Sequence, residues 1–176
     1  MFYLFLADGF EEIEALATVD ILRRGGVEVL TVGVTGDEPE GAHGIRVKAD
    51  ISLDLVELDK MQGMILPGGI PGTPNLEKND TVQALLDFAA ENKLWICAIC
   101  AAPSILGNKG LLSDKKATCY PGFEKYLTGA EIGTGVCVDE NFITGQGAGK
   151  SLDFAFAILD AVGKDSTELR KGMLYA

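Results

Sequence analysis

The chain reads as an α/β protein with a largely parallel β-sheet covered by helices on both faces, and three features predict this. Continuous apolar runs recur at residues 2–7, 64–66 and 94–99, which suits strands buried on both faces. Between them lie longer stretches with apolar residues at helical spacing. Gly and Pro clusters punctuate the transitions, so strand and helix alternate as βαβ units. With 176 residues and no linker, repeat or low-complexity segment, residues 1–176 are expected to form a single domain.

The run at residues 2–7 ends in Asp8-Gly9, a strand followed by a turn. Residues 11–24 then carry a helical stripe of Ile13, Leu16, Ala17 and Ile21, opened by Glu11 and Glu12 on a solvated turn and closed by Arg23 and Arg24. That polarity matches the helix dipole, and Gly25-Gly26 stops the helix. A second β-rich run covers residues 27–32, and a polar segment at 36–44 leads to a short strand and a connection to about Asp59. A third strand at 64–66 ends at Pro67-Gly68-Gly69, and a loop leads to a helix over 76–92. The fourth strand, 94–99, runs into Cys100. Residues 116–119 read as a strand, and 136–138 and 142–144 as a pair turning at Asp139-Glu140-Asn141. The last long helix covers 150–162, with Leu152, Ala155, Phe156 and Leu159 on its apolar face.

A formal charge of −11, from 26 acids against 15 bases, disfavours nucleic acid and anionic membrane as partners, because phosphates demand a basic face. The N-terminal run has no basic flank and is too short for a signal peptide. No stretch reaches the roughly 18 apolar residues of a membrane span. Four cysteines without a secretion signal suggest free thiols in a reducing compartment, so a cytoplasmic location is expected.

The most informative segment is Trp95-Ile96-Cys97-Ala98-Ile99-Cys100-Ala101-Ala102-Pro103. A buried strand runs straight into small residues, the layout of a nucleophile elbow that lifts one side chain above the carboxyl edge of the sheet. The helix that follows would aim N–H groups at the Cys100 sulfur and lower its pKa. Cys97 and Cys100 spell C-x-x-C, yet three strand residues separate them by about 10 Å, beyond disulfide reach. Odd spacing also sends the two side chains to opposite faces. Cys97, Cys119 and Cys137 read as packing residues. Gly68 and Gly69 let the backbone approach a ligand, and the Gly69 N–H could join that of Ala101 as an oxyanion hole. Glu14 sits one turn into the first helix; beside a thiolate it could stay protonated and donate a hydrogen bond. Thr144-Gly145-Gln146-Gly147-Ala148-Gly149-Lys150-Ser151 nearly spells a P-loop, but Thr144 replaces the first glycine. The lone histidine, His43, lies in a Gly-rich loop and reads as a surface residue. No metal or cofactor is expected.

Together, Ala7-Asp8-Gly9-Phe10-Glu11-Glu12-Ile13-Glu14, Val19-Asp20-Ile21-Leu22-Arg23-Arg24, Leu66-Pro67-Gly68-Gly69, Ala98-Ile99-Cys100-Ala101-Ala102-Pro103 and Gly145-Gln146-Gly147-Ala148-Gly149 resemble the ThiJ/PfpI superfamily over nearly the whole chain, in its deglycase and ThiJ-like branch. The resemblance implies a flavodoxin-like (class I glutamine amidotransferase-like) fold and a homodimer. It places the nucleophile at Cys100, its carboxyl partner at Glu14, the oxyanion donors at Gly69 and Ala101, and a substrate-facing wall at Gly68 and Tyr120. Tyr120 stands before Pro121 where the deglycase branch often has His. Ala101 follows the cysteine where peptidase-like members have His, so peptidase activity is disfavoured. The implied function is cofactor-free, cysteine-dependent chemistry on a small reactive carbonyl, of glyoxalase III or deglycase type, in carbonyl or oxidative stress. The alternatives are a redox-sensing stress protein or chaperone whose Cys100 oxidises to sulfinate, or an isonitrile-hydratase-like lyase. Asp20 interrupts the apolar stripe of the first helix; buried, it would need a partner, and a dimer interface at this helix would supply one.

Overall fold

In the computed structural model the elements follow in the order β1 (Phe2–Leu6), α1 (Glu12–Arg24), β2 (Val29–Gly33), β3 (Ile51–Ser52), β4 (Gly63–Leu66), α2 (Gly72–Glu77), α3 (Asp80–Glu91), β5 (Trp95–Ile99), α4 (Pro103–Asn108), β6 (Lys116–Ala117), β7 (Glu131–Ile132), β8 (Val136–Asp139), β9 (Phe142–Gly145), α5 (Ser151–Ala161) and α6 (Thr167–Gly172). The structure describes residues 1–175. Seven strands make one sheet in the order β3-β2-β1-β4-β5-β9-β8. Every ladder in it is parallel except β8 on β9, where Val136 faces Gly145 and Asp139 faces Phe142.

Alternation along the strands sorts side chains into two cores. Phe2, Leu4 and Leu6 of β1 pack with Cys97 and Ile99 of β5 against α1 and α5, through Ala15, Val19, Leu22, Phe154, Ala155 and Ile158. Tyr3 and Phe5, with Met64, Leu66, Ile96 and Ala98, face the other way onto α2, α3 and α4. Both faces of the sheet are therefore dry, which explains why the strands read as unbroken apolar runs.

Several expected elements differ. The helix expected over 76–92 is two helices, because Asn79 caps α3 by accepting the Val82 N–H at 3.0 Å. The strand expected at 116–119 is only Lys116–Ala117, and it pairs with β7 in a separate two-stranded ladder. Leu152, expected on the buried face of α5, is exposed, and Phe154 and Ile158 take its place. The most consequential difference is the rotation of α1. Its buried face is Glu12, Glu14, Ala15, Thr18, Val19, Ile21 and Leu22, while Ile13 and Leu16 are exposed. Asp20 is exposed too, and its partner is Arg24 on the same helix at 2.7 Å. Asp20 therefore stands on the exposed face with Ile13 and Leu16, and within one copy of the chain its charge is met by Arg24 and not buried.

No helix among the described residues is long and apolar enough to cross a membrane.

Candidate active site

The carboxyl ends of β1, β4 and β5 bring three turns together. At the end of β5, Cys100 adopts φ 66°, a left-handed conformation that glycine normally takes. For a residue bearing a Cβ this costs about 1–3 kcal/mol, held in place by neighbouring bonds. Those bonds are present: the Cys100 N–H donates to Gly145 O at 2.9 Å, and Cys100 O accepts from the Tyr120 N–H at 2.8 Å. The left-handed turn also breaks the strand alternation. Cys100 packs against the same α1–α5 core as Cys97, not on the opposite face expected from spacing alone. All four cysteines are free; Cys100 is partly exposed, and the other three are buried.

Glu14 reaches this turn from α1. Its carboxyl is almost wholly inaccessible, at 1% exposure, and Oε2 accepts the Gly68 N–H at 2.8 Å. Oε1 is buried with no hydrogen-bond partner, and the Cys100 thiol is the neighbouring group that acts on the carboxyl. Gly68 fits between the two groups because it lacks a side chain. A Cβ there would lie 2.6 Å from Cys100 Cβ and 2.8 Å from Glu14 Oε2. Gly69, at φ 95°, is pressed against Gly9 and Glu11 in the same way. Its N–H and that of Ala101 both serve the Cys100 sulfur.

The electrostatics couple the pair. Burial pushes the Glu14 carboxyl up to about 7 against the pull of the Gly68 N–H and the thiol, and the charge of Glu11 adds to the rise. Burial, then the charge of Glu14, pushes the Cys100 thiol up to about 12, against the N–H groups of Ala101 and Gly69. The acidic thiol expected from sequence is therefore reversed while Glu14 is ionised. Removing both protons would set two negative charges side by side in a poorly solvated site, so the pair keeps at least one proton across the neutral range, and a single one above about pH 7. When that proton sits on Glu14, the carboxyl becomes a donor, its charge vanishes, and the two N–H groups favour the thiolate.

Tyr120 is half exposed, held at the site by its N–H bond to Cys100 O. Its ring lies against Gly147, where a Cβ would come within 3.3 Å. The near-P-loop stretch is used internally. Thr144 Oγ1 accepts the Thr118 N–H, and the Lys150 ammonium pairs with Asp153.

Periodicity alone did not reveal a second polar cluster beside the first. Glu12, expected to be solvated, is 5% exposed and accepts both the His43 N–H at 2.7 Å and the imidazole Nδ1 at 2.8 Å. Burial works against the Glu12 charge, but these bonds hold its pKa below the ordinary carboxylate value. In turn the Glu12 bond, followed by the charges of Glu11 and Glu12, raises the His43 pKa. Glu11 Oε1 lies 3.7 Å from the same nitrogen, and one donor atom each from Glu11, Glu12 and His43 fall within 4.8 Å of one another. The adjacent acids were the available sequence signal; their partner is 31 residues away in the chain.

This arrangement has close relatives. The chain is 35% identical to Protein dj-1beta of Drosophila melanogaster, over 97% of its length and 95% of the relative's. It is 30% identical to Glutathione-independent glyoxalase DJR-1.2 of Caenorhabditis elegans, over 86% of this chain and 82% of that protein. The solved structure of oxidized Toxoplasma gondii DJ-1 superposes with a TM-score of 0.94 at 30% identity, covering 99% of this chain and 98% of that one. The model of the DJ-1/PfpI family matches residues 2–161, and this chain, with its flavodoxin-like sheet, belongs to that family.

Proposed function

We propose that the protein is a cofactor-free enzyme that uses Cys100 to convert small reactive carbonyls such as methylglyoxal to hydroxy acids. The observation that carries this reading is a buried carboxyl with a pKa of about 7 set against a half-exposed cysteine at a left-handed turn. A shared proton near neutrality suits a group that both gives and takes it. With the proton on Glu14, the thiolate adds to the aldehyde carbon. The new oxyanion lies toward the Gly69 and Ala101 N–H groups and takes the Glu14 proton, giving a hemithioacetal. Glu14 then removes the C–H proton from that carbon and returns it to the former ketone carbon, while the hydroxyl proton of the hemithioacetal passes to the former ketone oxygen, leaving a 2-hydroxy thioester. Water hydrolyses the thioester to the hydroxy acid and restores the thiol. The sum is substrate plus one water, with no external oxidant or reductant.

Family membership and the named glyoxalase relative support carbonyl chemistry for this chain. Tyr120 and Gly68 would wall the substrate. The same face of α1 that displays Ile13, Leu16 and Asp20 would pair two copies of the chain, a reading sedimentation tests directly. The decisive experiment follows lactate formation from methylglyoxal by wild type and Cys100→Ala. Production by the wild type that vanishes in the variant supports the reading, and equal production by both sinks it.

A second reading, redox sensing, is favoured by one observation: the only histidine is committed to Glu12, so no imidazole base serves Cys100. Oxidation needs none. A thiolate and peroxide give sulfenate and water, and a second peroxide gives sulfinate. Mass spectrometry after mild peroxide treatment separates the readings.

A further inference from the structure

We infer that Glu11 sets a charge filter over Cys100, disfavouring carboxylate-bearing carbonyls and other anionic electrophiles relative to neutral ones. This deepens the carbonyl reading of Cys100 and rests on it for its substrate class.

The backbone fixes where Glu11 stands. Its N–H donates to Gly68 O at 3.0 Å, and a Cβ on Gly69 would lie 2.5 Å from that nitrogen. Glu11 is thus packed on the glycine turn whose N–H groups hold Glu14 and face the Cys100 sulfur. Its side chain is 16% exposed, so water screens it less than a surface acid. Its carboxylate Oε1 lies 3.7 Å from His43 Nδ1, and its charge also acts on Glu14.

The charge is poorly offset. Among the described residues no Lys or Arg pairs with Glu11 or Glu12. The cation within 4 Å of Glu11 is His43, largely exposed and nearer to Glu12. The Glu14–Cys100 pair carries up to one negative charge, and Glu11 and Glu12 add theirs, while His43 returns at most one positive charge. A neutral dicarbonyl enters without penalty. An anionic one of similar size, such as glyoxylate, is repelled as it approaches the sulfur.

The test needs no turnover. Alkylation of Cys100 by iodoacetamide, neutral, and iodoacetate, anionic, is followed at low salt by mass spectrometry of its peptide. The intrinsic difference between the reagents cancels when their rate ratio is compared across variants. Glu11→Gln is expected to raise the iodoacetate-to-iodoacetamide ratio about three- to tenfold, on the order of one charge acting over a few ångströms of partly solvated protein. Glu11→Lys carries the ratio further. Glu168→Gln on α6, with the same change in net charge, leaves it unmoved. In the wild type, 0.5 M salt raises the ratio by screening, an arm that depends on no variant folding. A ratio unchanged in Glu11→Gln and insensitive to salt overturns the filter, as does an equal rise in Glu168→Gln. Glyoxylate against methylglyoxal turnover should move in parallel. If neither is turned over while the alkylation ratio responds, the carbonyl reading fails and the filter stands.

Discussion

The two edges of the sheet offer opposite combinations of space and chemistry. At the amino edge, a groove of about 910 Å³ is lined by Met1, Phe2, Glu28, Gln62, Trp95 and Lys164 among others. It is roomy, but its backbone donors are consumed between neighbouring strands. The Phe2, Gln62 and Trp95 N–H groups donate to the Glu28, Met1 and Gln62 carbonyls, and the N-terminal ammonium is taken by Lys60 O and Gln62 Oε1. At the carboxyl edge, the groove beside Asp8, Gly9, Ile70 and Pro71 is smaller, about 540 Å³. There, two N–H groups face a sulfur, a carboxyl lies buried beside it, and glycines keep the approach clear. The proposed chemistry therefore follows the N–H groups aimed at a sulfur and the buried carboxyl, not the larger volume, and in parallel sheets such features collect where strands turn into helices.

The sharpest break of this contrast is Cys100→Ala beside Lys93→Ala, where Lys93 lines the amino-edge groove. The first should lower methylglyoxal turnover by about a thousandfold or more, on the scale of a lost nucleophile, and the second should leave it within about twofold. A large loss in Lys93→Ala would put function at the wrong edge.

Glu14→Gln keeps the shape of the carboxyl and removes its proton transfer. Turnover should fall about a hundredfold, within the range for general acid–base groups. The same variant reports on stability through linkage. A carboxyl raised in the folded state to about 7, from an unfolded value of about 4.5, binds its proton more tightly when folded. Its contribution is fully present below about pH 4.5 and is lost as pH rises through about 7, a penalty on the order of 3 kcal/mol. Urea melts of wild type should therefore weaken over that window relative to Glu14→Gln. Parallel curves would mean the carboxyl is solvated after all. Alkylation adds a second readout: without the Glu14 charge, the Cys100 thiol should titrate at lower pH than in wild type.

Gly68→Ala tests the packing of the turn. The added methyl meets Cys100 Cβ and Glu14 Oε2, so about 1–3 kcal/mol of stability should be lost, with turnover falling further than stability explains. Thermal melts beside a single-turnover assay measure both. A neutral outcome would show that the Gly68–Cys100 approach is looser than the structure has it.

The smallest effect belongs to Asp20. As an exposed pair with Arg24 one turn away, it should contribute about 0.5 kcal/mol or less to folding. Sedimentation of wild type and Asp20→Ala then separates its two roles. A dimer that weakens in the variant places Asp20 in the interface, an unaffected dimer removes it, and a wild-type monomer at micromolar concentration ends the pairing proposal.

How much of this was legible varied with the kind of interaction. The α1 register shows the boundary. Stripe counting favoured Ile13, Leu16, Ala17 and Ile21 as the inner face because it scores apolar residues and gives no weight to burying a compensated carboxylate; of the four only Ile21 is buried. The chain instead buries Glu12 and Glu14, each compensated by groups from distant segments: His43 for one, Gly68 and Cys100 for the other. The split at Asn79 is written locally, as a cap residue before an acid, but apolar residues on both sides of it read as one helix. The family resemblance did place Glu14 beside Cys100, where composition and periodicity alone would have left it on the surface.

What the sequence determined by itself was the succession of strands and helices, the identity of β5 as the strand that leads into Cys100, and the need for small residues after it. These are local properties, set by apolar run length, turn residues and side-chain volume within a few positions. Tertiary structure alone decided which face of α1 is buried, that Cys100 turns left-handed into the same core as Cys97, and that its thiol rises while Glu14 is charged. Each of these depends on the solvation of a polar group by partners dozens of residues away, and desolvation is a property of the packed whole that no stretch of chain carries alone.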